Sequence, residues 1–114
     1  MIDLRNMTVL IVDDMEGMCK AIRGMLIVLN FGREFFYAAN GQEALSILNR
    51  TAVDLVISDW NMPTMTGVEL LARMKEDQRL RDIPLVMVTA EANKEIVAEA
   101  AEAEIDAYIL KPIT

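Results

Sequence analysis

No histidine occurs among the 114 residues. That absence removes Ser-His-Asp and Cys-His catalysis, histidine-ligated zinc and imidazole general bases. The one cysteine, Cys19, can form neither an intrachain disulfide nor a cysteine-rich metal site, and a reducing, cytoplasmic setting follows as the expectation. No apolar run approaches the roughly 20 residues of a membrane-spanning helix. The N-terminus turns acidic at Asp3 and has no long apolar stretch, so no signal peptide is expected. Basic residues are outnumbered 11 to 18, for a net charge of -7 and a pI near 4.5. Such a surface repels phosphate backbones and anionic lipid, so neither nucleic acid nor a membrane is an expected partner of this segment. Chemistry must therefore rest on carboxylates, hydroxyls and lysines.

What is present is a single domain's worth of chain, residues 1–114, long enough to bury a core without staples. Short apolar runs alternate with longer amphipathic ones, and there is no linker, low-complexity tract or repeat. Thr8-Val9-Leu10-Ile11-Val12 is apolar at nearly every position and ends abruptly in Asp13-Asp14. Val53 to Ser58 ends the same way at Asp59, Leu85 to Val88 at Thr89, and Ala107 to Leu110 at Lys111. Strands apolar on both faces mark a parallel sheet covered on both sides. Phe35 to Ala38 reads as a second, more edge-like strand. Met18, Ile22, Met25, Leu26 and Leu29 share one helical face, Asn40-Gly41 opens a shorter helix, and Val68, Leu71 and Met74 mark a third. Ala92 to Ala103 is rich in Ala and Glu and makes a fourth. The class is α/β, a doubly wound five-stranded parallel sheet of expected order 2-1-3-4-5.

In that arrangement the first helix lies alone on one face while helices two to four cover the other. The chain stops at Lys111-Pro112-Ile113-Thr114, where a fifth helix would begin. With that helix absent, an apolar face over strands three to five is expected to be bare, in keeping with a mean hydropathy of +0.26. The chain is then expected to be a fragment of a longer one, or to cover this face with another subunit in a dimer or swapped assembly.

Ligands of an open parallel sheet bind beyond the carboxyl ends of its strands. Those ends carry Asp13, Asp14, Asp59, Thr89 and Lys111. Three converging carboxylates repel one another and call for a hard cation with oxygen ligands, Mg²⁺ being the usual one. A lysine and a hydroxyl opposite would hold an oxyanion between metal and ammonium. With no histidine to activate Ser or Cys, a carboxylate is the best candidate for attack on phosphorus, giving an aspartyl phosphate. Singly, each residue has a plainer reading: Asp14 and Thr89 as helix caps, Lys111 as a solvated lysine. Coincidence at four of the five strand ends favours the site.

Five segments then carry a resemblance: Val9-Leu10-Ile11-Val12-Asp13-Asp14, Asn40-Gly41-Gln42-Glu43-Ala44-Leu45, Ser58-Asp59-Trp60-Asn61-Met62-Pro63 with Gly67, Val88-Thr89-Ala90-Glu91, and Tyr108-Ile109-Leu110-Lys111-Pro112. In order and spacing they resemble the receiver domain of two-component response regulators, in flavour the single-domain chemotaxis type. The resemblance implies a flavodoxin-like fold. The strand order above is a known property of that family, so topology and resemblance are one reading and not two.

The resemblance also implies roles. Asp59 would accept a phosphoryl group from a histidine kinase or phosphotransfer protein, and the domain would catalyse only its own phosphorylation and dephosphorylation. Asp13, Asp14, Asp59 and the backbone carbonyl of Asn61 would bind Mg²⁺. Lys111 would pair with the phosphoryl group, Thr89 would hydrogen-bond to it, and Tyr108 would move inward as the switch aromatic and change affinity for a downstream protein target. Asn61 and Glu91 would tune self-dephosphorylation, and Lys111-Pro112 resembles the family's cis bond. Departures are the absent fifth helix and Glu104, where the family usually has Gly. Met15, Met18, Met62 and Met65 flank the site as gap-fillers, Cys19 is expected to be buried, Trp60 to sit on the site's rim, and the Glu91 to Glu104 acids to form a solvated face. Two other classes compete. A receiver-like interaction module that takes no phosphate would need a broken site. An Asp-nucleophile phosphatase would need a second carboxylate two residues after Asp59, where Asn61 stands, and a cap for which 114 residues leave no room.

Overall fold

A β-branched run bounded by Asp13-Asp14 becomes the first of five parallel strands in the computed structural model, which describes residues 4–59, 62, 64–89 and 107–110. After a short 3₁₀ turn at Leu4–Asn6 come β1 (Thr8–Val12), α1 (Glu16–Val28), β2 (Glu34–Ala38), α2 (Gly41–Arg50), β3 (Leu55–Asp59), α3 (Gly67–Glu76), β4 (Leu85–Thr89) and β5 (Ala107–Leu110). The sheet order is β2-β1-β3-β4-β5, with every pair parallel. This is the doubly wound, flavodoxin-like arrangement expected from the strand patterns together with the family resemblance. The helix expected over Ala92 to Ala103 lies outside the described residues.

Alternation along each strand sorts side chains onto two faces. Leu10, Val12, Val56, Leu85 and Met87 pack against Ala44, Ile47 and Leu48 of α2 and Leu70, Leu71 and Met74 of α3. Val9, Ile11, Leu55, Ile57 and Val88 pack against Cys19, Ile22 and Leu26 of α1. The spacing of those three α1 residues is one helical stripe, and burial of stripe and strands together supplies the main stabilisation of that layer.

Two expectations need correction. The third strand begins at Leu55 and not Val53, because Asp54 is held at the strand's entry: its carboxylate accepts the Thr8 N–H at 2.8 Å and its own N–H donates to the Thr8 carbonyl at 2.8 Å. Val53 is buried all the same, in the α2–α3 core. The face over β3 and β4 is not bare either. Leu55, Ile57 and Val88 are only 7%, 6% and 1% exposed, in one continuous cluster with Cys19, Ile22 and Leu26 of α1. The argument for a dimer or swapped assembly to cover that part of the sheet thereby loses its premise. The plainer alternative weighed against the site, Asp14 as the cap of α1, does not hold: the N-cap position is Met15, with no side-chain hydrogen bond.

The far end of α1 is closed by a Schellman turn. The Phe31 N–H donates to the Leu26 carbonyl at 2.8 Å and the Asn30 N–H to the Ile27 carbonyl at 2.9 Å, with Asn30 in the left-handed region at φ 59. Exposed large apolar side chains gather there as Ile27, Val28 and Leu29. Leu4 is also exposed, and its carbonyl accepts the Gly32 N–H at 2.7 Å. Among the described residues, no helix is long and apolar enough to cross a membrane.

Candidate functional site

β1 and β3 are neighbours in the sheet, with Val12 opposite Ser58. The residues that follow, Asp13 and Asp59, therefore emerge side by side at the carboxyl edge, as the sequence pattern requires. Carboxylate oxygens of Asp13, Asp14 and Asp59 lie within 4.8 Å of one another. Asp13 is 3% exposed, Asp14 is open to solvent and Asp59 is intermediate. Asp13 is fixed from two sides: its N–H donates to the Ala38 carbonyl at 3.0 Å, and its Oδ1 accepts the Met15 N–H at 2.9 Å.

The donor set fits a hard divalent cation. Three carboxylates gathered this closely at a partly buried edge, all oxygen donors, suit Mg²⁺, and neither histidine nor cysteine thiolate competes for it. Cys19 lies nearby with its Sγ 3.5 Å from the Asp13 carbonyl. Burial pushes its thiol up, and the charges of Asp13 and Glu16 push the same way. The thiol therefore stays protonated and inert at neutral pH, in line with its expected burial.

A cleft of about 590 Å³ opens beside the acids, between α1 and the end of β2. Lys20 and Arg23 bring positive charge to its wall, and Tyr37 and Glu43 complete its far side. Behind the site, the Ser58 hydroxyl is fully buried and donates to the Asp59 carbonyl at 2.9 Å. Met62 Sδ is 3.9 Å from the same hydroxyl.

Of the other predicted residues, Thr89 ends β4, one residue beyond the Val88 that pairs with Asp59. Tyr108 lies in β5 opposite Met87. Their side chains are outside the described residues, as are Asn61, Glu91, Lys111, Trp60 and the Glu91 to Glu104 acids. Among the methionines, Met62 and Met65 are buried as gap-fillers, Met18 is half-buried against the α1 core, and Met15 is 62% exposed. Sequence reasoning assigned no role to Ser58. A serine inside an apolar strand, one residue before the acid, was the signal available.

Comparison with known proteins agrees with this geometry. The chemotaxis protein CheY-3 of Vibrio cholerae serotype O1 is 41% identical over 110 residues, 96% of this chain and 84% of that protein. The chemotaxis protein CheY of Pseudomonas aeruginosa is 42% identical over 108 residues, 95% of this chain and 86% of its own. Among solved structures, the chemotaxis response regulator CheY4 of Vibrio cholerae superposes with a TM-score of 0.85 at 29% identity, covering 96% of this chain and 89% of that one. Residues 9–114 match the family model of the response regulator receiver domain, and the chain belongs to that family. It is thus a signalling domain of the two-component type, with chemotaxis regulators among its relatives, and not an enzyme of the usual substrate-turnover kind.

Proposed function

We propose that this domain is a phosphorylatable switch in which Asp59 takes a phosphoryl group from the phosphohistidine of a histidine kinase or phosphotransfer protein in the cytoplasm. The observation that carries the reading is the convergence of Asp13, Asp14 and Asp59 within 4.8 Å at one sheet edge. A carboxylate oxygen of Asp59 bonds to phosphorus while the donor's P–N bond breaks, and the imidazole leaves with the electron pair and takes up a proton. In dephosphorylation, water attacks phosphorus and the P–O bond to Asp59 breaks, releasing phosphate.

Asp13, Asp14, Asp59 and the Asn61 backbone carbonyl are the residues that would hold Mg²⁺. Bound there, the ion would supply positive charge against the charge developing on the phosphoryl oxygens. Lys111 is assigned the ion pair to the phosphoryl group and Thr89 a hydrogen bond to it. Tyr108 is assigned the inward movement that changes affinity for a downstream target. Asn61 and Glu91 are assigned the tuning of phosphate loss.

The test is intact mass after incubation with Mg²⁺ and acetyl phosphate, wild type beside Asp59→Asn. One phosphoryl group gained by wild type alone is the expected result. No gain in wild type, or equal gain in both, would refute the assignment.

A further inference from the structure

Gly41 opens α2 and is buried. A Cβ built on it would lie 2.5 Å from Met65 Sδ and 2.8 Å from both Met65 Cβ and Cγ. The thioether sulfur could swing aside, but Met65 Cβ moves only with its main chain. Any side chain at position 41 must therefore push on the backbone between β3 and α3. That backbone is already constrained. Thr64, immediately before Met65, sits at φ 67, a left-handed conformation that a β-branched residue keeps only when its surroundings dictate it. Met62 and Met65, on either side of Thr64, are both buried and so anchor the turn.

The same segment is held at its other end. A Cβ on Gly67, the first residue of α3, would lie 2.6 Å from the Asp59 carbonyl oxygen and 2.7 Å from Met87 Sδ. That carbonyl also accepts the Ser58 hydroxyl. Met65 and Gly67 are thus both seated by glycine contacts, Met65 on Gly41 across the molecule in α2 and Gly67 itself against the Asp59 carbonyl.

We propose that Gly41 is a positioning residue for the acidic centre. Its bare Cα seats Met65, Met65 holds the strained Thr64 and, two residues on, the start of α3, and the close contact of Gly67 with the Asp59 carbonyl passes that placement to the Asp59 carboxylate beside Asp13 and Asp14. This inference rests on the reading of those three acids as a Mg²⁺ and phosphoacceptor site. The sole tryptophan, Trp60, directly follows Asp59, so its emission during titration with Mg²⁺ alone reports on the centre.

Gly41→Ala should weaken the apparent Mg²⁺ dissociation constant about tenfold, the scale seen when a metal ligand's support is lost, and should slow phosphate uptake from acetyl phosphate at sub-saturating Mg²⁺. In a Met65→Gly background the same substitution should change the constant little, because the atoms it would strike are gone. An unchanged constant in Gly41→Ala with a lowered melting temperature would show a merely structural role and overturn the proposal. So would an equal loss in both backgrounds. Met65→Ala keeps the question open to test even where Gly41→Ala folds poorly: it should weaken Mg²⁺ several-fold, and no change would overturn the proposal. A wild-type chain that neither binds Mg²⁺ nor takes phosphate refutes the underlying reading instead, independently of Gly41.

Discussion

The start of α1 differs from the starts of α2 and α3. Asn40 Oδ1 accepts the Glu43 N–H at 2.9 Å and caps α2. Thr66 Oγ1 accepts the Glu69 N–H at 3.2 Å while Glu69 Oε1 accepts the Thr66 N–H at 3.4 Å, a complete capping box on α3. α1 has no such side chain: its N-cap is the exposed Met15. The two acids preceding it belong to the site, with Asp13 turned to the Met15 N–H and Asp14 to the carboxylate cluster. Where the carboxylates gather, the helix beside them forgoes a cap worth about 1 kcal/mol. The contrast with the other end of α1, closed by its Schellman turn at Asn30, shows the loss to be local to the site.

Breaking the well-built end of α1 should have the largest effect on stability. Asn30→Val forces a β-branched residue into φ 59 and should cost about 1–2 kcal/mol, read as a lower denaturant midpoint at unchanged slope. Asn30→Gly should leave the midpoint nearly where it is, and equal loss in both variants would mean that φ is not the cause.

Next in size is an exchange of caps. Thr66→Ala should cost about 1 kcal/mol, and Met15→Ser, at a side chain that packs against little, should add roughly 0.5–1 kcal/mol. Should both variants move stability the same way, the contrast between α1 and α3 fails.

The smallest effect lies in the turn after α3. There Arg79 donates hydrogen bonds to the Asp77 carboxylate from its side chain and its backbone, and these hold the Asp77 carboxyl below its usual range. A carboxyl with a depressed folded-state pKa stabilises above the ordinary value of about 3.9. That contribution fades as pH falls through the lower folded value. Because Asp77 and Arg79 are open to solvent, Asp77→Asn should flatten the acid limb of a stability–pH profile only slightly, and added salt should shrink the difference further. An acid limb steeper in the variant would contradict the sign.

Strand reading was reliable where physics leaves one solution. Thr8–Val12 and Leu85–Thr89 are apolar on both faces and can be satisfied only inside a parallel sheet, and once strand one neighbours strand three, Asp13 and Asp59 must emerge together. Methionines were not legible individually. A flexible thioether suits a buried gap as well as a helix start, so Met65 and Met15 look alike in sequence and end in opposite environments. Counting helices also misjudged the α1 face, where Leu55, Ile57 and Val88 are buried in one cluster with the α1 stripe.

The sequence by itself determined the α/β class and the ending of successive strands in Asp13-Asp14 and Asp59, because periodicity and β-branching leave few alternatives for short local patterns, while the strand order that gathers those acids was read together with the family resemblance. Only the tertiary structure decided that Met65 rests on Gly41, that Gly67 rests against the Asp59 carbonyl and that Ser58 turns its hydroxyl to the same oxygen. The first joins two separate elements and the others fix short-range geometry, and in each case close approach is a property of packed volumes that no local pattern encodes.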